Sequence, residues 1–335
     1  MFSGFITQNA LDFASVINNL SSKGLPYFFV VDFECNHWQI FQFPVSNQEI
    51  IFNFNTCTNQ NFVNSTNAKI YFEITPPTYT EYLLQYQKII HHIQNGNTYL
   101  TNLTCSSSVV CNLSLSELFG RIQAPYKIYF PGHFLCFSPE TFVKITGDTI
   151  YTYPMKGTID AQLPDAEQLI IDNEKEREEH ATIVDLLRND LSKIAFPVEV
   201  KRYRYIDKIA TNKSTLLQVS SEIAGKLPND FRKTLGNILL ELLPAGSVSG
   251  APKRKTFEII KDTEMHQRKY FTGIAGVFDG VNLDSCVLIR FLEENYKKID
   301  NLYHFTYKSG GGITAKSNPL QEYQELIQKI YVPVN

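Results

Sequence analysis

The stretch IDNEKEREEHATIVDLLRND, residues 171–190, predicts the middle of a long helix that runs from about residue 165 to residue 192. One face of that helix, at about 100° per residue, contains four apolar side chains: Ile183, Val184, Leu187 and Leu191. On the same wheel Glu176 and Glu179 fall inside the apolar arc, although a solvated helix keeps its charges away from the core. Because a desolvated anion is costly unless it is paired or bound to a metal, these two acids need compensation.

A second helix, predicted over residues 319–331, repeats this spacing of acids. Glu322 and Glu325 stand three residues apart, and Lys329 follows four residues later. Both pairs also have an ordinary structural interpretation. Acids favour the first turn of a helix, and an exposed Glu–Lys pair adds only about 0.2–0.5 kcal/mol. Equally, carboxylates on two helices are the oxygen ligands that Mg²⁺ prefers. The spacing leaves both interpretations open.

The rest of the pattern is dominated by strands. Strands are predicted at residues 26–33, 37–43, 69–74, 98–104, 126–131, 134–137, 142–145, 149–153, 271–278, 285–292 and 302–308. Further helices are predicted at 79–94, at 229–242 and from Pro252. Runs of strands without strict βαβ alternation indicate an α+β fold with large antiparallel sheets. We divide the chain into a short strand-rich segment, 1–75, packed on a main catalytic body, 76–335.

Composition excludes several classes of function. The 335 residues are 43% hydrophobic and 19% charged, which is typical of a globular protein with a sizeable core. A net charge of −3 indicates neither a nucleic-acid partner nor a membrane surface. Six scattered cysteines without a C-x-x-C pair are typical of reduced thiols. No signal peptide and no membrane-spanning apolar run are recognisable, so we expect a cytoplasmic protein.

Two glycine-containing segments could bind anions. Gly246 and Ser247 lie just before a predicted helix N-terminus, where free backbone N–H groups attract an anion, although simple capping is the alternative. Gly310, Gly311 and Gly312 follow a predicted strand and allow close backbone approach to a ligand. Within the predicted strand VLIRF, Arg290 suits carboxylate recognition or, alternatively, a core salt bridge. These features together indicate an Mg²⁺-dependent enzyme acting on a small polyanion, without specifying the reaction.

Eight motifs in a fixed order carry a family resemblance. They are YLTNLT (99–104), SPETF (138–142), PMKGT (154–158), KEREEHATIVDLLRND (175–190), PAGSVSGAPK (244–253), FTGIAGVF (271–278), LIRF (288–291) and GGGITAKSNPLQEYQE (310–325). This order closely resembles the chorismate-utilising enzymes over about residues 80–332. The resemblance implies two large antiparallel β-sheets packed together with helices outside. It also implies Mg²⁺ held by Glu179 and Glu325, directly or through water, with Glu176 and Glu322 alongside.

Two positions distinguish the reactions of this family. Lys156 of PMKGT matches a lysine of the aminodeoxychorismate synthases, where anthranilate synthases have alanine. Leu100 of YLTNLT stands where isochorismate and salicylate synthases have the lysine that activates water, and leucine cannot act as a base. The resemblance implies that Lys156 attacks C2 of chorismate as a neutral amine, if burial or neighbouring charge lowers its pKa. Glu140 would protonate the departing 4-hydroxyl, and ammonia would then add at C4.

The resemblance also implies a set of substrate-binding residues: Gly157, Thr158, Gln218, Gly246, Ser247, Gly273, Arg290, Gly310, Gly311, Gly312 and Lys329. Three positions depart from the family pattern, since Gln218 replaces a common His, Phe271 a common Tyr and Lys316 an Asp. The segment before residue 75 is shorter than in typical relatives, which argues against a tryptophan feedback pocket.

No glutamine amidotransferase segment is recognisable, so we expect ammonia from a separate glutaminase subunit. No lyase domain follows residue 335, so conversion to 4-aminobenzoate is expected to need another enzyme. Two alternatives remain: anthranilate synthase component I, against which Lys156 argues, and a non-catalytic chorismate-binding subunit. The intact Glu140, Lys156 and four glutamates argue against the second.

Overall fold

The computed structural model describes residues 7–54, 57–59, 69–210 and 215–333, and the strands of this part of the chain form two antiparallel sheets. The strands are β1 Tyr27–Val31, β2 Trp38–Gln42, β3 Ile51–Phe54, β4 Phe72–Thr75, β5 Leu100–Cys111, β6 Tyr126–Phe130, β7 Phe134–Ser138, β8 Thr141–Thr146, β9 Thr149–Thr152, β10 Met155–Asp160, β11 Val198–Ala210, β12 Thr215–Lys226, β13 Gly250–Ala251, β14 Ile274–Phe278, β15 Leu283–Val287, β16 Phe291–Ile299 and β17 Leu302–Ile313. The helices are α1 Gln8–Ser22, α2 Tyr79–Gln94, α3 Leu115–Arg121, α4 Ala166–Asp172, α5 Glu174–Ser192, α6 Leu235–Leu242, α7 Lys253–Thr263 and α8 Pro319–Gln328, with 3-10 turns at Phe231–Lys233 and Gly246–Val248.

The two sheets confirm the predicted α+β fold. The nine-stranded sheet has the order β10-β12-β9-β8-β15-β14-β1-β2, with β11 also paired to β12. The eight-stranded sheet has the order β13-β5-β17-β16-β7-β6-β3, with β4 paired to β5. Across the described residues, no helix is both long and apolar enough to span a membrane.

Strand β1 lies at the centre of the packing, and its residues are buried on both faces. Phe28 and Val30 belong to an apolar cluster that also contains Phe52 and Ile128 from the other sheet. Phe29 on the opposite face packs in a second cluster with residues of α1, α5 and α6. A strand buried on both faces reads as a continuous apolar run, which is the PYFFVVDF pattern of the sequence. The sheets therefore pack on each other, and helices cover their outer faces.

The N-terminal segment, which was predicted to be rich in strands, contains β1–β4 and also a helix that was not predicted, α1, at residues 8–22. Its side chains Phe13, Ile17 and Leu20 are buried at helical spacing, and Thr7 caps its first turn. β1 and β2 belong to the larger sheet, and β3 and β4 to the smaller one. The division of the chain at residue 75 stays a prediction.

The helix predicted at 229–242 begins only at Leu235. Local geometry explains three further differences between the predicted and the observed elements. The helix predicted from 165 to 192 is divided into α4 and α5, because Asn173 is extended and its side chain caps α5. The predicted strand 285–292 is divided into β15 and β16 by Arg290, whose φ of 54° is left-handed. The three glycines at 310–312 do not follow a strand but continue β17, where they pair with β5.

Candidate active site

The helices that carry the acids are positioned by side-chain caps at their N-termini. Asn173 accepts a hydrogen bond from the amide of Glu176 at the start of α5. Asn318 accepts hydrogen bonds from the amides of Leu320 and Gln321 at the start of α8. Such caps satisfy amides that have no partner within the helix. The first turns of both helices are thereby fixed, and these turns bear the acids.

Burial confirms the helical-wheel prediction for α5. The side chain of Glu179 is 11% exposed, whereas that of Glu174 on the opposite face is 77% exposed. On α8 the side chain of Glu322 is 4% exposed and that of Glu325 is 44% exposed. The frayed-turn interpretation therefore does not describe Glu179. The exposed Glu–Lys pair is formed by Glu325 with Lys329, whereas Glu322 is buried.

Lysines from two elements compensate the buried acids. The Nζ atom of Lys156, on β10, lies 2.5 Å from Oε2 of Glu179. The Nζ atom of Lys175, on α5, lies 3.7 Å from Oε1 of Glu179 and 3.3 Å from Oε1 of Glu322. Lys175 thus connects α5 with α8. Lys175 was not among the predicted site residues, although its position four residues before Glu179 was a usable signal.

The pKa of Lys156 is shifted in the direction opposite to the one a neutral nucleophile needs. Burial lowers the pKa of this lysine, but the carboxylates of Glu179, Glu325 and Glu176 outweigh burial and raise it above the ordinary value. Lys156 is therefore an ion-paired ammonium here. The expectation that burial or neighbouring charge leaves this amine neutral is not met in this arrangement.

Two of the three glycines of β17, Gly310 and Gly311, adjoin this cluster. An added Cβ on Gly311 would lie 3.7 Å from both Oε2 of Glu322 and Nζ of Lys329. Lys329, just after α8, donates to the carbonyl of Gly310 at 2.9 Å and pairs with Glu325 at 2.7 Å. Burial lowers the pKa of Lys329, with Glu325 opposing the shift and Lys156 adding to it. The two predicted lysines, 156 and 329, therefore belong to one electrostatic cluster.

Glu140 and Arg290 lie on another side of the cluster. Glu140 accepts a hydrogen bond from the hydroxyl of Ser247. Burial raises the pKa of Glu140, and the Ser247 bond, Arg290 and Lys329 offset this only in part. Arg290 donates to the hydroxyl of Tyr331 and lies over its ring, and it has no carboxylate partner within the described residues. The core salt bridge considered for Arg290 is therefore not formed within this part of the chain.

A narrow cavity of about 40 Å³ begins at Glu140 and Ser247 and runs along α5. Gly246 belongs to its lining, and a Cβ there would lie 3.2 Å from Oδ2 of Asp190 and from two leucine side chains. Close packing therefore accounts for this glycine. The volume would hold a few water molecules.

The remaining predicted residues differ in how close they lie to the cluster. Gly157 adjoins it, since an added Cβ would lie 3.4 Å from Oε2 of Glu176. Thr158 and Gln218 are cross-strand neighbours on β10 and β12 whose side chains are 3.5 Å apart. Gly273 is required by packing, because a Cβ there would lie 2.2 Å from the carbonyl oxygen of Val31.

The carboxylates fit Mg²⁺ by donor type but are engaged by lysines here. Within the described ranges, no three His, Cys, Asp or Glu side chains converge as metal ligands. Glu176, Glu179, Glu322 and Glu325 supply the hard oxygen donors that Mg²⁺ prefers. Burial raises the pKa of Glu176, and Glu179 and Glu325 add to the effect while Lys156 opposes it. Holding a divalent cation therefore requires carboxylates to leave their lysine partners.

Comparisons with known proteins identify relatives of this chain. The model of the chorismate binding enzyme family matches residues 17–335. An uncharacterized PabA-like protein of Haemophilus influenzae is 45% identical over 323 residues, which cover 96% of each chain. Anthranilate synthase component 1 1 of Haloarcula marismortui is 33% identical over 268 residues, and aminodeoxychorismate synthase component 1 of Bacillus subtilis is 29% identical over 261 residues. These two alignments cover 74% and 73% of this chain, but only 52% and 53% of those relatives.

A solved structure shares the fold. The menaquinone-specific isochorismate synthase MenF of Escherichia coli superimposes with a TM-score of 0.66 at 16% identity, covering 96% of this chain and 80% of that one. At that identity the likeness concerns the fold alone. The family model matches nearly the whole length of the chain. The chain belongs to the chorismate binding enzyme family.

Proposed function

We propose that this protein replaces the 4-hydroxyl of chorismate with an amino group, forming 4-amino-4-deoxychorismate. The observation that carries the proposal is the position of Lys156. Its amine contacts the carboxylate cluster, 2.5 Å from Glu179, while 32% of the lysine side chain is exposed. Family members that add water at C2 have a lysine base at the position of Leu100. Leucine cannot act as a base, and its side chain lies against Gly312. The only nitrogen nucleophile that we assign to this site is Lys156.

The reaction has two displacement steps. In the first, Nζ of Lys156 bonds to C2, both ring double bonds shift by one position, and the C4–O bond breaks. Glu140 supplies the proton with which the hydroxyl leaves as water, and its raised pKa favours the protonated form that this step needs. In the second, ammonia bonds to C4, both double bonds shift back, and Lys156 leaves C2 with its bonding electron pair. The enolpyruvyl ether stays intact.

Positively charged groups and backbone amides account for recognition of the two substrate carboxylates. Arg290 is free of carboxylate partners within the described residues, so its guanidinium is available for bidentate binding. Lys329 and the glycines at 310–312 provide a second cationic and backbone surface. Bound Mg²⁺, held by Glu179 and Glu325 with Glu176 and Glu322 alongside, would neutralise and orient the ring carboxylate.

Two other candidate functions would give a different outcome with chorismate. Anthranilate synthase component I would aminate C2 and release pyruvate, and the Haloarcula relative at 33% identity carries that name. A chorismate-binding subunit without activity would bind and not turn over. Lys156 favours amination at C4 over the first, and the intact Lys156–Glu179 and Ser247–Glu140 contacts favour an enzyme over the second.

The test is incubation of the purified protein with chorismate, ammonium and Mg²⁺, followed by mass spectrometry of the products. We expect 4-amino-4-deoxychorismate from the wild type and none from Lys156→Ala. Lys316→Ala, which removes an exposed lysine paired with Glu178 on α5, is the matched control and should retain activity. Anthranilate with pyruvate, or binding without product, would refute the proposal.

We further propose that ammonia comes from a separate glutamine amidotransferase subunit in the cytoplasm, where the six cysteines, all free, stay reduced. The purified chain should then use ammonium but not glutamine. Turnover of glutamine by the chain alone would contradict this part of the proposal.

A further inference from the structure

We propose that Lys156, assisted by Lys175, occupies the place of the divalent cation at Glu179 in the metal-free enzyme, so that metal binding and release of Lys156 are one exchange. This inference rests on the proposed magnesium site. It assigns Lys175 as a positioning residue and makes the nucleophile unavailable until the cation has arrived.

Both carboxylate oxygens of Glu179 face a lysine ammonium group. Oε2 lies 2.5 Å from Nζ of Lys156, and Oε1 lies 3.7 Å from Nζ of Lys175. Mg²⁺ binds carboxylate oxygens at about 2.1 Å. A cation on either oxygen would therefore lie beside an ammonium group in a poorly solvated site, where like charges repel strongly. The lysine contact and the metal contact exclude each other.

Lys156 and Lys175 connect the same elements that a bound metal would connect. Lys156 links β10 to α5 through Glu179, and Lys175 links α5 to α8 through Glu322. Glu322 is 4% exposed and Glu179 is 11% exposed, so these acids would be uncompensated if the lysines simply left. The ammonium groups therefore keep the acids in place without the metal.

The Lys156–Glu179 contact also keeps the nucleophile away from the substrate. Nζ of Lys156 lies 2.5 Å from Glu179, so this nitrogen must leave the carboxylate before it can approach C2 of bound chorismate. A cation that takes Glu179 breaks this contact. Until the cation arrives, Lys156 stays at Glu179.

The experiment is titration of the substrate-free protein with Mg²⁺ by isothermal calorimetry, and with Mn²⁺ by electron paramagnetic resonance. Lys156→Gln should bind the cation about tenfold more tightly than the wild type, because the competing charge is gone. Lys156→Arg keeps the charge and should bind no more tightly. Lys175→Gln should show a smaller gain, since its contact with Glu179 is longer. Lys316→Gln, at the exposed Glu178 pair, should leave the affinity unchanged.

A second readout does not involve a variant. Brief acetylation of the native protein, followed by peptide mass spectrometry, should label Lys156 faster when Mg²⁺ is present. Lys316 serves as the internal control and should be labelled at the same rate in both conditions.

The outcomes separate this inference from the proposed function. Equal cation affinity in the wild type and Lys156→Gln, or slower labelling of Lys156 with Mg²⁺, would overturn the exchange and leave the amination proposal standing. Absence of cation binding in both proteins would overturn the exchange together with the magnesium site. Tighter binding in Lys156→Gln alongside anthranilate as the wild-type product would support the exchange and refute the proposed function.

Discussion

The hydroxyl of Ser247 donates a hydrogen bond to the carboxylate of Glu140, and this contact joins the 3-10 turn at Gly246–Val248 to the residue just before β8. Glu140 is otherwise desolvated, which raises its pKa. The bond to Ser247 works in the opposite direction, because it favours the charged form. Ser247 is therefore placed to adjust how readily Glu140 gives up its proton.

Replacement of Ser247 by Ala should move the pH dependence of amination. Loss of the hydrogen bond removes an interaction that lowers the pKa of Glu140, so its pKa rises further. A general acid must be protonated, and a higher pKa keeps it protonated to higher pH. The alkaline limb of kcat/KM should therefore shift to higher pH in Ser247→Ala. Profiles of the two proteins measured with saturating ammonia would test this, and an unmoved alkaline limb would show that Glu140 is not the acid.

Replacement of Arg290 by Lys should weaken chorismate binding without loss of stability. Arg290 contacts Tyr331 and no carboxylate of the described residues, so no ion pair is broken. A lysine keeps the charge but cannot bind a carboxylate with two parallel hydrogen bonds. Losing one charged hydrogen bond costs about 1.5–3 kcal/mol, so KM for chorismate should rise by roughly tenfold or more. Steady-state kinetics and a melting curve would test the two parts. An unchanged KM would exclude Arg290 from the substrate site.

Replacement by alanine should affect stability and chorismate binding differently at two neighbouring glycines, Gly310 and Gly311. A Cβ on Gly310 would lie 2.5 Å from the carbonyl oxygen of Leu103, which is backbone and cannot move away cheaply. Gly310→Ala should destabilise the fold by about 1–3 kcal/mol or more. On Gly311 the Cβ has ordinary contacts at 3.7 Å with Glu322 and Lys329. Gly311→Ala should therefore fold normally but bind chorismate poorly, because the methyl group fills the wall of the site.

Denaturant unfolding of both glycine variants, with chorismate titration of the folded ones, checks this contrast. Equal stability loss in the two variants would mean that the strand pairing of β17, and not the local space, decides the result. Normal chorismate affinity in Gly311→Ala would place the substrate elsewhere.

Local sequence signals predicted the framework of the site but not its pairing. The bounds of α2, Tyr79–Gln94, agree with the prediction, since Thr78 and Glu81 form a capping box. The buried face of α5 also followed from periodicity. The glycines of β17 did not read as a strand, because glycine disfavours strands and only pairing with β5 keeps them extended. Lys156 reaching Glu179 depends on how β10 meets α5, which no local pattern contains.

The backbone at Arg290 was unpredictable for a related reason. An arginine in VLIRF reads as part of a strand, yet its φ of 54° ends one strand before the next begins. Hydrogen bonds from Thr272 to Leu288 and from Leu288 to Gly273 hold this connection. These are tertiary contacts, and the partner Tyr331 lies 41 residues away.

His180 follows Glu179 in α5, and its side chain is fully buried. Burial lowers its pKa from 6.5 to about 4, and the charges of Arg204 and Lys156 add to the effect. The unfolded chain binds this proton more readily than the folded protein does. Stability from the neutral ring is therefore complete above about pH 6.5 and is lost as the pH falls towards 4.

We expect His180→Asn to lose less stability than the wild type between pH 7 and pH 5, because asparagine takes up no proton. Urea unfolding at the two pH values measures this difference directly. His91→Asn, on the exposed side of α2, is the control and should follow the wild type. His266, whose pKa burial also lowers to about 4, leaves a residual dependence in His180→Asn. If His180→Asn had the same pH dependence of stability as the wild type, then His180 would not be held neutral in the contact of α5 with β12.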